Sequence, residues 1–110
     1  MGKRAIMGDL EYAVICAILD LEPNAYGVPI RHFVSEMLKR QVHVGEVYVT
    51  LSRLREKRYI SSEESIPQPV RGGRSKVLYR VEGMGADAKR TKEEAEVSLG
   101  DLGIARRAVI

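Results

Sequence analysis

Residues 44–60, VGEVYVTLSRLREKRYI, decide how the rest of the chain is read. Val47, Leu51 and Leu54 recur at intervals of four and three, the period of one buried helix face. At about 100° per residue, that register turns Gly45, Val49, Ser52, Arg53 and Glu56 outward, with Glu46 beside them. A solvated helix with no partner usually carries several long charged residues on such a face. This one is small at its N-terminal end and presents Arg53 one turn further on, a shape that fits a DNA major groove. The helix runs straight into a strand at Tyr59-Ile60, and a hairpin with the basic tip Arg71-Gly72-Gly73-Arg74 comes next.

On the N-terminal side, Leu10, Val14, Ile18 and Leu21 mark a strongly apolar helix over 9–21, with Asp9 as its N-cap and Glu22-Pro23-Asn24 as its stop. A second helix is expected over 27–39. Pro29 is tolerated there because it falls in the first turn, and Ile30, Phe33, Val34, Met37 and Leu38 supply the buried stripe. Gln41-Val42-His43 is a short extended link to the helix over 44–57. Beyond it, 59–66 reads as a strand, 67–74 as a loop kept irregular by prolines and glycines, and 76–81 as the returning strand. A last helix is expected from about Met84 to Leu99, with Gly100 and Gly103 weakening helix formation in the remaining C-terminal residues.

Three helices, a two-stranded hairpin and a final helix are the element order of a winged helix-turn-helix domain. The expected fold is mainly α with a small β-hairpin. It divides into a flexible basic arm over 1–7, a winged helix-turn-helix DNA-binding domain over 8–82, and a C-terminal dimerisation helix and tail over 83–110.

At 110 residues the chain makes one domain with a modest core. Its composition, 45% hydrophobic and 30% charged, is ordinary for a globular protein, and a net charge of +3 says little alone. The distribution says more, because Lys39, Arg40, Arg53, Arg55, Lys57, Arg58, Arg71, Arg74 and Lys76 all fall in the middle of the chain. The single cysteine, Cys16, excludes an internal disulfide, and its place in the apolar run 12–19 suits a buried structural thiol. That run is too short for a membrane span of about 20 residues. Asp9 and Glu11 interrupt a would-be signal peptide after Lys3 and Arg4, so a cytoplasmic protein is expected.

Four segments in sequence carry a resemblance: Asp9-Leu10-Glu11-Tyr12-Ala13-Val14, Tyr26-Gly27-Val28-Pro29-Ile30, Gly45-Glu46-Val47-Tyr48-Val49-Thr50-Leu51-Ser52-Arg53-Leu54 and Gly72-Gly73-Arg74-Ser75-Lys76-Val77-Leu78-Tyr79-Arg80. Together they resemble PadR-like transcriptional regulators from about Leu10 to Gly85, in the short form with one C-terminal helix and no separate effector domain. The resemblance implies a dimeric winged helix-turn-helix repressor whose last helix makes the dimer. It also implies DNA contacts from the helix carrying Gly45, Tyr48 and Thr50 and from the wing around Arg71 to Lys76.

Three positions depart from the family pattern. Arg58 stands where glycine is usual, and a left-handed backbone there would cost a non-glycine residue about 1–2 kcal/mol. Glu82 replaces the usual threonine before the last helix and is a poorer N-cap. Some family members bind flat aromatic drugs against tryptophans, and with no Trp and one Phe this chain is not expected to share that activity.

The expected DNA-contacting residues are Gly45, Glu46, Tyr48, Val49, Thr50, Ser52 and Arg53 on the helix, and Arg71, Gly72, Gly73, Arg74 and Lys76 on the wing. Tyr48 and Thr50 are expected to hold the backbone, while Val49, Ser52 and Arg53 reach base edges. Glu46 could accept a hydrogen bond from cytosine N4, though Glu46 and Glu56 would be repelled by phosphates. Leu10, Val14, Ile18, Met84, Ala88, Ala95, Leu99 and Leu102 are expected at a two-fold dimer interface. That arrangement would set two recognition helices about 34–36 Å apart on a near-palindromic operator.

His32 and His43 have no companions at metal-ligand spacing, and no phosphate loop or nucleophile elbow is present, so neither a metal, a cofactor nor catalysis is expected. Double-stranded DNA and a second copy are the expected partners, and a small-molecule effector is left open. The alternative reading is a winged-helix protein-interaction module without DNA binding, supported by Glu46, Glu56 and the modest net charge.

Overall fold

The computed structural model describes residues 7–65 and 76–109, with backbone alone for 97–109. The element order is α1 (Asp9–Leu21), α2 (Gly27–Leu38), α3 (Val44–Glu56), β1 (Ile60–Glu64), β2 (Val77–Val81) and α4 (Gly83–Val109). The expected fold class therefore holds, element for element.

One core joins all of these elements. Val14, Ile15, Ile18, Ile30, Val34, Val42, Val47, Leu51 and Leu54 are fully buried, each contributing roughly 1.5–3 kcal/mol of burial free energy. Met7, the last residue of the expected arm, is also in this core, so the chain joins the domain one residue before the expected start. The α1 helix is capped by Gly8 rather than Asp9. Glu11 reaches back to the Gly8 N–H, and Asp9, one residue inside the helix, is freed to pair with α4.

The α2–α3 connection is held by side chains that satisfy its backbone. Arg31 Nε donates to the Val42 carbonyl at 2.8 Å, and the Val42 N–H donates to Ser35 Oγ at 3.1 Å. With Val42 buried between them, these bonds remove the cost of hiding unpaired backbone groups. Lys39 ends α2 in the left-handed region at φ 55°.

At the end of α3, Arg58 is left-handed at φ 64°. Its N–H donates to the Arg55 carbonyl, and the Tyr59 N–H donates to the Leu54 carbonyl, closing the helix as a Schellman motif. The departure from glycine at position 58 thus leaves the turn geometry intact and places the backbone cost on an arginine.

The strands β1 and β2 form an antiparallel hairpin with Ile60 opposite Val81 and Glu64 opposite Val77. The α4 helix begins where the Glu82 N–H donates to the Tyr59 carbonyl. Gly85 is required beside that contact, because a Cβ there would sit inside the same carbonyl oxygen.

From its start α4 runs along α1 and then on through Gly100 and Gly103 to Val109, ten residues past the expected end. Each glycine weakens a helix by about 1 kcal/mol relative to alanine, which is a cost rather than a stop. At 1.5 Å per residue, the 27 residues of α4 extend about 40 Å.

Candidate nucleic-acid interface

The inner face of α3 is built from Val47, Thr50, Leu51 and Leu54, all buried at the spacing of one helix face. Thr50 corrects the sequence reading. Expected at the DNA backbone, it instead completes the buried stripe between Val47 and Leu51, and its hydroxyl donates to the Glu46 carbonyl at 2.8 Å. A buried threonine satisfies its oxygen on the preceding turn in this way.

Rotating outward brings Gly45, Tyr48, Val49, Ser52, Arg53 and Glu56 to the exposed surface. Tyr48 is 47% and Val49 51% exposed, large fractions for residues of their size. The Arg53 side chain makes no hydrogen bond or ion pair with another described residue, as is also true of the Ser52 side chain.

The neighbouring cations are engaged. The Arg55 guanidinium donates to Ser62 Oγ on β1, while Lys57 pairs with Glu11 of α1 at 3.0 Å. Arg40 holds Glu46 at 3.2 Å.

Glu46 also accepts the His43 N–H at 3.0 Å and so caps the start of α3 from its third position. The His43 amide, followed by the Arg40 guanidinium, holds the Glu46 carboxyl below the usual carboxylate range. The negative charge expected to repel phosphates therefore stands beside a positive one. Both of its oxygens are occupied, which leaves Glu46 poorly placed to read cytosine.

On the wing, Lys76 extends its ammonium over the Tyr26 ring, 4.2 Å from the ring centroid. Arg71, Gly72, Gly73 and Arg74 lie outside the described residues.

Of the residues expected at a dimer interface, Val14 and Ile18 are wholly buried within the chain and have no surface for a second copy. The apolar circumference of α1 is used by its own domain, because α2, α3, β2 and α4 all pack on it. Leu10, Ala88 and Ala95 are half-buried and Met84 is 57% exposed, while Leu99 and Leu102 fall in the stretch described by backbone alone.

The α1–α4 seam carries a polar network with no sequence motif to announce it. Lys92 is buried and pairs with Asp9 at 3.1 Å and Glu96 at 3.0 Å. The Tyr12 hydroxyl donates to Glu93 at 2.7 Å, and Lys89 pairs with the same carboxylate at 2.6 Å. Its hydrogen bond to Glu93 and its burial hold the Tyr12 phenol protonated far above its ordinary range. Burial pushes the adjacent Cys16 thiol up as well, against the reactive thiolate form.

Among the described residues, no group of three His, Cys, Asp or Glu side chains is placed to hold a metal. Also among them, no helix is long and apolar enough to cross a membrane.

Helices α1 to α3 with the hairpin beside α3 define a winged helix-turn-helix protein. The chain belongs to the PadR-like family of transcriptional regulators, whose family model matches residues 15–91. Solved structures share the fold. A PadR family transcription regulator from Clostridium difficile is 23% identical, with 86% of this chain and 94% of that one covered at a TM-score of 0.67. A Thermoplasma acidophilum protein, provisionally a transcriptional regulator, is 14% identical and covers 100% and 99% at a TM-score of 0.70. A PadR-like transcription factor from Bacteroides fragilis is 22% identical and covers 92% and 89% at 0.57. No curated protein matches the chain.

Proposed function

We propose that this chain is a homodimeric, sequence-specific DNA-binding repressor of transcription that acts in the cytoplasm on a near-palindromic operator. The observation that carries the reading is the outer face of α3. The side chains of Tyr48, Val49, Ser52 and Arg53 stand exposed there without a hydrogen bond or ion pair to another described residue, while Arg40, Arg55 and Lys57 around them are committed to internal contacts.

In this reading the domain over 8–82 carries the DNA contacts. Val49, Ser52 and Arg53 reach base edges in the major groove, and Tyr48 holds the backbone. The wing with Arg71, Gly72, Gly73, Arg74 and Lys76 grips flanking phosphates. The segment 83–110 dimerises. The length of α4 supports that role, since about 40 Å of helix exceeds what its own α1 of 13 residues can cover. The protein performs no catalysis, and DNA and its own second copy are its partners.

Selection of genomic fragments by the purified chain, followed by mobility shift at two salt concentrations, tests the reading. The expected result is recovery of a near-palindromic site whose affinity falls steeply with salt, by roughly 0.9 in log–log slope per phosphate neutralised. Absence of binding, or affinity flat in salt, would instead favour a winged-helix protein-interaction module.

A further inference from the structure

The tripeptide Ala25-Tyr26-Gly27, between α1 and the first turn of α2, touches both elements that would meet DNA. The Ala25 carbonyl accepts the Tyr79 N–H of β2 at 2.8 Å. The Tyr26 ring lies under the Lys76 ammonium at the base of the wing. Gly27 is buried, and the phenol of Tyr48 on α3 lies directly against it. A Cβ built on Gly27 would fall inside the Tyr48 hydroxyl oxygen and only 2.8 Å from Cζ.

We propose that Gly27 is a positioning residue for DNA recognition. By lacking a side chain it lets Tyr48 seat on the start of α2, on the same three residues that fix the wing. The proposal rests on the DNA-binding reading above. The wing and the outer face of α3 must meet the duplex together, so their spacing has to be set somewhere, and these three residues bind to each of them.

Gly27 cannot retreat, because Ala25 and Ile30 on either side of it are fully buried. The Tyr48 ring is half-exposed and can swing outward. A methyl group at position 27 therefore moves Tyr48 rather than the fold. That separates a positioning role from a structural one.

The test is a double-mutant cycle on the full chain, with Gly27→Ala, Tyr48→Ala and both together. Each variant is measured for affinity to the selected site, for affinity to random DNA and for thermal unfolding. Gly27→Ala is expected to weaken binding about tenfold, the scale of coupling between residues in contact, on the selected site and on random DNA alike because Tyr48 holds the backbone, with the unfolding midpoint nearly unchanged. In the Tyr48→Ala background the same substitution is expected to add nothing.

Equal losses in both backgrounds, or a fall in stability that accounts for the lost binding, would overturn the positioning role. No loss in either background would overturn it as well. If the unsubstituted chain binds no DNA, the functional reading fails and carries this proposal with it. If it binds steeply in salt but the cycle shows no coupling, only the role of Gly27 fails.

Discussion

Along the seam between α1 and α4, Lys92, Lys89, Tyr12, Asp9 and Glu93 are hydrogen-bonded or ion-paired across the two helices or along α4. On the outer face of α3, the side chains of Arg53, Ser52 and Tyr48 make no hydrogen bond or ion pair with another described residue. Both regions draw on ordinary polar residues. The seam uses its hydrogen-bonding capacity internally to fix the direction in which α4 leaves the domain. The α3 face leaves its capacity to water, which a nucleic acid can displace. Arg55 on α3 and Lys57 at its C-cap sharpen the contrast, because they lie within four residues of Arg53 and are both engaged.

The largest effect is expected from the unpartnered side. Arg53→Ala should lower affinity for the selected site by about 1–3 kcal/mol and relax its sequence preference, the scale of one good base contact. Arg74→Ala should instead weaken all DNA about equally and reduce the salt slope by about one phosphate's share. Binding curves on selected and random DNA at several salt concentrations check both. Equal losses on both kinds of DNA for Arg53→Ala would erase the distinction between a reading face and a gripping wing.

On the engaged side, Lys92→Glu should destabilise the protein by about 2 kcal/mol, because a third carboxylate would join Asp9 and Glu96 at a buried position. That figure is below the usual cost of an uncompensated buried charge because Asp9 and Glu96 are themselves well solvated. Lys92→Met removes the ammonium that stands 5.7 Å from the Tyr12 ring centroid but keeps an unbranched stem at the buried position, and should cost less than about 1 kcal/mol. Denaturant unfolding measures both. A large loss for the methionine variant would mean that the charge, rather than packing of the stem, holds α4 to α1.

The helix periods and the turn residues made the fold legible, since each element needs only its own few residues to declare itself. What failed to show depends on residues far apart in the chain. Thr50 reads as polar and exposed, yet its place between Val47 and Leu51 puts it inside, where its own helix satisfies the hydroxyl. Val14 and Ile18 suggested an external partner because the number of elements packed on α1 is invisible from its own sequence. Glu46 looked like a repulsive charge because its pairing with Arg40 crosses the turn. Gly27 showed only as part of the segment Tyr26-Gly27-Val28-Pro29-Ile30, since the role proposed for it lies in the space it leaves for Tyr48, twenty-one residues away.

Arg58 offers a smaller test at the edge of the α3 face. Its left-handed backbone is easier for glycine, so Arg58→Gly should stabilise the domain by about 1 kcal/mol at most, with part of the gain offset by the greater freedom of glycine in the unfolded chain. Thermal unfolding reads this as a rise of a few degrees, about 4–8 °C per kcal/mol for a domain near this size. If stability rises while DNA affinity falls, the arginine side chain belongs with Arg53 on the DNA side of the comparison. If affinity is unchanged, Arg58 belongs to neither region.

The smallest effect lies in acid, where each region contributes one carboxylate. Glu46 is held below the usual range by the His43 amide and then by Arg40, while Glu93 is held down first by Lys89 and then by the Tyr12 hydroxyl. A carboxyl whose folded pKa is depressed contributes stability that is fully present above its unfolded value, about 4.3 for glutamate. That contribution fades as pH falls through the lower folded value. Glu46→Gln and Glu93→Gln should each flatten the fall in unfolding midpoint below that pH, and the double variant should flatten it further, because the two sites share no partner. Only Glu46→Gln should also reduce the acid sensitivity of DNA binding, since it alone caps α3, the helix proposed to enter the groove. If Glu93→Gln changes DNA binding just as much, the seam and the reading face are coupled through the domain, and the division drawn between them does not hold.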